Sequence, residues 1–301
     1  MIWINFIPMV MTLHDYKIIC PNYQLFSNGK TCTDCAGGKY YNCLLKKCSK
    51  NSYAKSFLAM AEAYLHNTFL KTYDQVDLFI APCQYLKDMC VRFGVPENKI
   101  TTLYNFTEAP ALPKELDTGI SVSDKISDQP YFLFFGRISE EKGINVLFEA
   151  FKKNNKSLII IGTGPEFKKY QAQIDNERIG NIKMIGPKYG KDLQNIIANA
   201  EAILIPSIWP ENNPLTMLET MAMGKPVIAS HTGGIPEIIK HQENGLLFEM
   251  GNAEDLILKI NELNTTNLEV LGQKAKETIS SLNKENYYQN IVNIYNKLKK
   301  Y

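Results

Sequence analysis

From residue 131 onward, short apolar runs alternate with helical patterns at a regular spacing. The runs are YFLFF (131–135), SLIII (157–161), IKMI (182–185), AILIP (202–206) and PVIAS (226–230), and they recur every 20 to 26 residues. Amphipathic stretches such as INVLFEAFKK, EFKKYQAQI and NAEDLILKINEL stand among them. Apolar strands that alternate with helices are typical of a parallel sheet covered on both faces. The pattern therefore predicts a doubly wound α/β domain.

A second α/β domain is expected ahead of this one. The stretch 107–130 carries Pro110, Pro113 and Pro130 and has no apolar periodicity, which favours a linker. We predict a first domain over 1–112, a linker over 113–130, a second domain over 131–284 and a final helix over 285–301 that packs back toward the first domain. The first domain shows only about three strands, few for a Rossmann-like, doubly wound parallel sheet, so we expect it to be incomplete.

Composition excludes some classes of protein and bounds the location. The 301 residues include 33 basic and 31 acidic side chains, a net charge of +2, so we expect no nucleic-acid binding. The apolar opening MIWINFIPMVMTL is too short to span a membrane and lacks the features of a signal peptide, so we expect a buried strand and a cytoplasmic protein. Lys46-Lys47 and the terminal KLKKY leave open a peripheral role at the membrane surface.

Polar and glycine residues follow the predicted strands of the second domain. Arg137 and Lys142 lie in GRISEEKG after the first strand, and Gly162 and Gly164 lie in GTGP after the second. In open parallel sheets, ligands bind outside the carboxyl ends of the strands. Two cations beside glycine turns that let a backbone approach a ligand suit a diphosphate.

The segment PENNPLTMLE adds two carboxylates to this edge. Asn213 followed by Pro214 predicts a helix start, with asparagine as the cap. On the helical wheel Leu215, Leu218, Met221 and Ala222 share an apolar arc, with Thr216 and Thr220 opposite, and Glu219 falls between Leu215 and Met223. Alone, Glu219 is more simply a boundary residue than a ligand group. Beside the cations and glycine turns, a carboxylate that accepts hydroxyl groups of a nucleoside diphosphate sugar is favoured.

These motifs together resemble a known family. FFGRISEEKG, IIGTGPE and PSIWPENNPLTMLETMAMGKPVIASHTGGIPEIIKHQENGLLF are similar to the donor domain of glycosyltransferase family 4, whose fold is GT-B. The Glu-x7-Glu element is Glu211 and Glu219. TLHDYKIICPN and DLFIAPCQYLKD through GVPENKITTLYNF are similar to the second half of the family's N-terminal domain. From this resemblance we expect about the opening third of that domain to be missing from the sequence.

The resemblance implies a role for each matching residue. Arg137 and Lys142 would hold the donor pyrophosphate, and Glu219 would accept hydrogen bonds from the ribose hydroxyl groups. Glu211 would contact the donor sugar, which His14 would face from the acceptor side. Backbone N–H groups at Leu215 and Thr216 would approach phosphate and sugar, as would the backbone at Gly162 and Gly164. Pro214 departs from the glycine that many members have there.

The implied activity is a retaining hexosyl transfer without a required metal or other cofactor. The donor would be a nucleoside diphosphate sugar, and the acceptor a glycan or polyprenyl-linked sugar in cell-envelope polysaccharide synthesis at the inner membrane face. Two other functions stay open. One is a non-catalytic nucleotide-sugar-binding or interaction protein derived from such an enzyme, and the other is a related GT-B activity such as a sugar-nucleotide epimerase.

Five of the seven cysteines fall within residues 20–48 of the first domain. Cys20 is followed by Cys32-x2-Cys35 and Cys43-x4-Cys48. In a cytoplasmic protein, free thiols, a zinc site and disulfides are all compatible with this spacing. Zinc would most simply take Cys32, Cys35, Cys43 and Cys48 as four tetrahedral ligands.

Overall fold

The computed structural model describes residues 7–108, 129–263 and 268–298, which divide into two compact units. The first unit takes in the described residues up to Asn105, together with Trp209–Asn213 and the chain from Lys284. The second unit consists of Phe106–Ile208 and Pro214–Asn283. Residues 113–128 of the predicted linker lie outside the described residues.

The first unit contains a three-stranded parallel sheet and four helices. Its elements are β1 Val10–Thr12, β2 Phe26–Ser27, β3 Lys30–Thr31, α1 Tyr41–Leu45, α2 Tyr53–Tyr64, β4 Leu78–Ala81, α3 Gln84–Arg92 and β5 Ile100–Thr102, and near the end of the chain a helix at Lys284–Leu298. The sheet order is β1-β4-β5, while β2 and β3 form a separate antiparallel pair. Helix α2 continues directly into a π turn at Leu65–Phe69.

The second unit contains a six-stranded sheet covered by helices. Its elements are β6 Tyr131–Phe135, α4 Ile144–Lys152, β7 Ser157–Ile161, α5 Phe167–Glu177, β8 Ile182–Met184, α6 Gly190–Asn199, β9 Ile203–Ile205, α7 Leu215–Ala222, β10 Val227–Ser230, α8 Ile235–Ile238, β11 Leu246–Phe248, α9 Ala253–Leu263 and α10 Leu268–Ile279. The helix at Lys284–Leu298 is therefore α11. The strands pair in parallel in the order β11-β10-β9-β6-β7-β8.

The prediction of an α/β fold with parallel sheets is confirmed, and all five apolar runs are strands. Alternate residues of β6 are buried on opposite faces of the sheet: Phe132 and Phe134 pack in one core cluster, and Leu133 and Phe135 in another. This burial on both faces explains why the strand reads as an unbroken apolar run. The sequence analysis missed β11, since its three residues within ENGLLFEM are too few to show a periodicity.

Helix α7 is held in place by the close approach of α10. A Cβ atom added to Gly272 in α10 would lie 2.0 Å from the carbonyl oxygen of Gly224, which follows α7. No side chain fits at that distance without moving one helix, so the position of α7 depends on glycine at 272.

In the described parts of the chain, no helix has the length and apolar character needed to cross a bilayer.

We predict that Gly272→Ala destabilises the second unit by about 1–3 kcal/mol, because overpacking a close backbone contact costs that much. Hydrogen exchange of peptides from α7 and α10 would measure the loss of protection. Gly180→Ala is the matched control, since an added Cβ there meets no atom within 4 Å. Equal exchange in the two variants would contradict the prediction.

Candidate functional site

The loops after β6 and β7 meet backbone to backbone at the carboxyl edge of the six-stranded sheet. A Cβ atom added to Gly162 would lie 1.8 Å from the carbonyl oxygen of Gly136, and one added to Gly164 would lie 2.1 Å from that of Ile138. The N–H of Ile138 donates to the carbonyl of Thr163 at 3.0 Å. Glycine at these positions therefore lets the two loops form one continuous rim.

Arg137 and Lys142 lie on this rim, in the loop between β6 and α4. Arg137 is exposed, and its guanidinium makes no hydrogen bond or ion pair within the described residues. Lys142 is half-buried at the end of a short 3-10 turn over Glu140–Lys142. The N–H of Ile208, after β9, donates to the carbonyl of Glu141 at 3.0 Å. The cationic loop is thus bound to the residues that follow β7 and β9, the two strands on either side of β6.

The amino end of α7 belongs to the same edge of the sheet, because α7 follows β9. Its first two N–H groups, at Leu215 and Thr216, have no acceptor within the described residues, as is usual at a helix start. The helix dipole and these two donors favour an anion at this end.

The predicted cap and apolar face of α7 were partly wrong. The cap residue is Pro214, without a side-chain hydrogen bond, and the side chain of Asn213 donates to the carbonyl of Pro82 at 3.2 Å instead. Leu215 is 53% exposed, whereas Thr220 is buried and satisfies its hydroxyl by donating to the carbonyl of Thr216 at 2.7 Å. Local back-bonding made the threonine tolerable in the core.

Glu219 is half-buried on α7 between core residues of the same helix. Met217 and Leu218 beside it are fully buried. Burial raises the pKa of the Glu219 carboxyl above its ordinary value, and no residue in the described parts of the chain forms an ion pair or side-chain hydrogen bond with it. An ionised carboxylate in such surroundings is unfavourable unless donors reach it. Glu219 is therefore ready to accept hydrogen bonds from a ligand.

Glu211 lies in a five-residue segment, Trp209–Asn213, that belongs to the first unit. The hydroxyl of buried Tyr16 donates to the carbonyl of Pro210 at 3.0 Å, and the rings of Tyr16 and Trp209 meet edge to face with centroids 6.4 Å apart. The Glu211 side chain is 5% exposed. Tyr16, in the motif HDYK, thus fixes the backbone next to Glu211.

The same segment is hydrogen-bonded to residues that follow each strand of the three-stranded sheet. The Asn212 amide donates to the carbonyl of His14, after β1, at 3.1 Å. The Asn213 amide donates to Pro82, after β4, and Asn105, after β5, donates to the carbonyl of Asn213 at 3.1 Å. The amide oxygens of Asn212 and Asn213 are buried and have no donor among the described residues.

The predicted residues thus fall into two groups. Arg137, Lys142, Gly162, Gly164, Leu215, Thr216 and Glu219 lie at the carboxyl edge of the second unit's sheet. His14, which is exposed, and Glu211 lie at the carboxyl edge of the first unit's sheet. The sequence analysis missed Tyr16 and Asn212, because their partners are 194 and 198 residues away in the chain and nothing local signals the contact.

The cysteine-rich segment folds around one small cavity in the first unit. Cys20 lines this cavity together with Cys32, Cys35, Cys43 and Cys48, and all five are free thiols. Burial raises the pKa of Cys20 to about 11 and of Cys35 to about 12. As placed within the described residues, no three His, Cys, Asp or Glu side chains form an arrangement that would already hold a metal ion.

Comparisons with known proteins agree with these motifs. The family model of the group 1 glycosyl transferases matches residues 118–279. An uncharacterized glycosyltransferase of Methanocaldococcus jannaschii is 31% identical over 196 residues, which is 59% of this chain and 48% of that protein. The N-acetyl-alpha-D-glucosaminyl L-malate synthase of Bacillus anthracis is 27% identical over 232 residues, or 71% of this chain and 58% of the synthase. The chain spans about half the length of the curated relatives it matches.

Solved structures show the same fold. Anabaena HepE, in complex with UDP-glucose, matches with a TM-score of 0.69 and 20% identity over 96% of this chain and 72% of that one. Sucrose-phosphate synthase from Thermosynechococcus elongatus matches with a TM-score of 0.69 and 20% identity, over 96% of this chain and 67% of the synthase. At this identity the likeness shows the fold alone, and it confirms the predicted GT-B fold.

We predict that Glu219→Gln stabilises the ligand-free protein at neutral pH. The folded state raises the Glu219 pKa, so ionisation of this carboxyl opposes folding above that pKa, and the opposition disappears as pH falls through it. The gain in melting temperature over wild type should therefore be largest near pH 7 and shrink toward the ordinary carboxyl range. Glu149→Gln, at an exposed position on α4, is the control. A Glu219→Gln protein that melts below wild type at pH 7 would indicate a structural role instead.

Proposed function

Because the chain belongs to the group 1 glycosyl transferases, we propose that it moves a hexose from a nucleoside diphosphate sugar to a glycan or lipid-linked acceptor. The observation that carries this proposal is Glu219, a half-buried carboxylate without a side-chain partner among the described residues, on the same sheet edge as the exposed guanidinium of Arg137. A nucleoside diphosphate offers ribose hydroxyl groups that donate to the Glu219 carboxylate, and phosphate oxygens that accept from the Arg137 guanidinium.

Each predicted site residue of the second unit then has a role in holding the donor. Arg137 and Lys142 bind the diphosphate and balance its charge, with no metal cofactor required. The N–H groups of Leu215 and Thr216 add neutral donors to the phosphate and sugar oxygens. The glycine rim at Gly162 and Gly164 lets the ligand approach the backbone closely.

For Glu211 and His14, in the first unit, we retain the role that the resemblance implies, which is contact with the donor sugar. The reaction breaks the bond between the anomeric carbon and the diphosphate oxygen, and the acceptor oxygen bonds to the same carbon with retained configuration. The acceptor proton passes to the leaving diphosphate, so no enzyme nucleophile is needed. Cations that stabilise the leaving group act where charge develops in the transition state.

The names of similar proteins support this class of donor and process. HepE of Anabaena is known in complex with UDP-glucose and with UDP. A protein of Erwinia amylovora that is 26% identical over 197 residues is an amylovoran biosynthesis glycosyltransferase. We therefore propose a step in cell-envelope polysaccharide synthesis, in the cytoplasm.

We predict that a comparison of UDP binding with pyrophosphate binding distinguishes the ribose-binding part of the donor site from its phosphate-binding part. By calorimetry, Glu219→Gln should bind UDP about tenfold more weakly than wild type and pyrophosphate equally well, because its hydrogen bonds go to ribose. Arg137→Gln should weaken both ligands, since it acts on phosphate. Glu149→Gln and Arg178→Gln are the matched controls at exposed positions. GDP and ADP are measured in parallel, because the base is not specified by these residues.

Equal affinity of Glu219→Gln and wild type for every nucleotide would refute the ribose assignment. Transfer is tested separately, by the release of nucleoside diphosphate from the donor with and without glycan acceptors. Donor binding with neither transfer nor hydrolysis would favour the non-catalytic binding protein over the enzyme.

We further propose that the first unit associates with an anionic membrane surface, where a lipid-linked acceptor would be found. Residues 45–71 carry five lysines and one glutamate, and this segment has large apolar side chains in solvent, including Leu45 at 66%, Leu58 at 67% and Phe69 at 75% exposure. Exposed apolar groups among cations are typical of an interfacial membrane contact.

We predict that the protein sediments with phosphatidylglycerol vesicles and much less with phosphatidylcholine vesicles, and that added salt reverses binding. The double variant Phe69→Ser, Leu70→Ser should lose most of this binding because it removes apolar insertion. Leu258→Ser is the matched control, since Leu258 is 63% exposed on α9 of the second unit. Sedimentation of the double variant equal to wild type would exclude this segment as the contact.

A further inference from the structure

Five sulfurs from separate stretches of the chain surround one cavity in the first unit. Cys20 comes from the loop after β1, Cys32 and Cys35 follow β3, Cys43 is on α1, and Cys48 follows it. The cavity has a volume of about 10 Å³. Such a space has room for about one atom-sized guest, and its walls carry the softest ligand atoms that proteins offer.

The segment that holds these cysteines has little regular structure of its own. Between β1 and α2 it contains the two-residue strands β2 and β3, a short 3-10 turn and the five-residue helix α1. Of the nine described non-glycine residues with positive φ, six lie here: Tyr23, Leu25, Asn28, Lys47, Lys50 and Asn51. Left-handed backbone at such residues persists only where other interactions hold it. A metal cross-link would stabilise such a segment, because it has few regular backbone hydrogen bonds of its own.

Polar groups contact three of the five sulfurs. The Cys20 thiol donates to the side-chain oxygen of Asn22 at 2.8 Å. The Lys46 ammonium donates to the sulfur of Cys32 at 3.6 Å.

The Cys48 thiol lies 3.5 Å from the Ser27 hydroxyl, to which it donates. Once the thiols are deprotonated, an ammonium such as that of Lys46 and a hydroxyl such as that of Ser27 can donate to a metal-bound thiolate and stabilise its charge.

We propose that four of the five cysteines around this cavity bind one structural Zn²⁺, with Cys32 and Cys35 among the ligands because their x2 spacing is typical of zinc sites. Cys20 joins the four candidates that the spacing suggested, because it lines the same cavity. On binding, the zinc ion loses its water ligands, the four thiols release their protons to solvent, and the sulfurs turn from their present partners toward the ion. The zinc holds the segment between β1 and α2 in its left-handed turns and takes no part in glycosyl transfer.

Metal analysis of the full chain, purified without a metal-affinity tag, tests the proposal. Wild type should contain about one zinc per chain. Cys32→Ser and Cys35→Ser should lose most of it, whereas Cys90→Ser, in the core outside the cavity, should retain it. Should the ligand variants fail to fold, replacement of zinc by Co²⁺ in wild type gives a second measurement. Intense ligand-field and thiolate charge-transfer bands are then expected, as for a tetrahedral thiolate site.

Other outcomes overturn the proposal. A folded wild-type protein that takes up neither Zn²⁺ nor Co²⁺, and in which seven thiols are counted after unfolding, would show that the cluster is a set of free thiols. A mass two hydrogens lower per pair would show disulfides. Zinc retained in both Cys32→Ser and Cys35→Ser would show that the ion binds elsewhere. None of these results depends on whether the protein binds a nucleotide sugar.

Discussion

Parallel hydrogen bonding between strands is the constraint on which the rest of this structure depends. When β6, β7, β9 and β10 all run in the same direction, every chain segment that leaves a strand does so at one edge. The loops that carry Arg137, Gly162 and the start of α7 are therefore neighbours, although up to about 80 residues separate them in sequence. Glycines at 162 and 164 let the backbones of these loops pack directly against one another, with no side chain between them.

The same constraint acts in the first unit, through a segment that is not contiguous with it. After β9 the chain contributes Trp209–Asn213 to the first unit and returns to the second at Pro214. Side-chain amides and the Tyr16 hydroxyl bind this segment to the residues after β1, β4 and β5. Glu211 is thus positioned by hydrogen bonds to all three strand ends, while Glu219, eight residues later, is positioned by the packing of α7.

Glu219, the residue that we propose binds the ribose, illustrates how a binding group differs from a stabilising one. A half-buried carboxylate with a raised pKa and no partner in the described structure opposes folding. Such a residue is kept where a ligand supplies the missing donors, which is the usual conflict between stability and function. The hydroxyl of Thr220, one residue later, is satisfied within its own helix and carries no such potential.

The sequence by itself determined the alternation of strands and helices in the second unit and the identity of the residues at its strand ends. Both depend on local properties: an apolar run such as YFLFF reflects burial on two faces, and glycine after a strand reflects a turn. The sequence determined the start of helix α7 less well, as the exposed Leu215 and the unused cap at Asn213 show. Tertiary contacts there compete with the local preference of asparagine for capping a helix. Only the tertiary structure decided that Asn212 binds the carbonyl of His14, 198 residues away, and that Cys20 joins the cavity of the other four cysteines. Contacts between residues so far apart in sequence depend on how the helices and strands pack together. No periodicity or spacing within a short window of sequence indicates that packing.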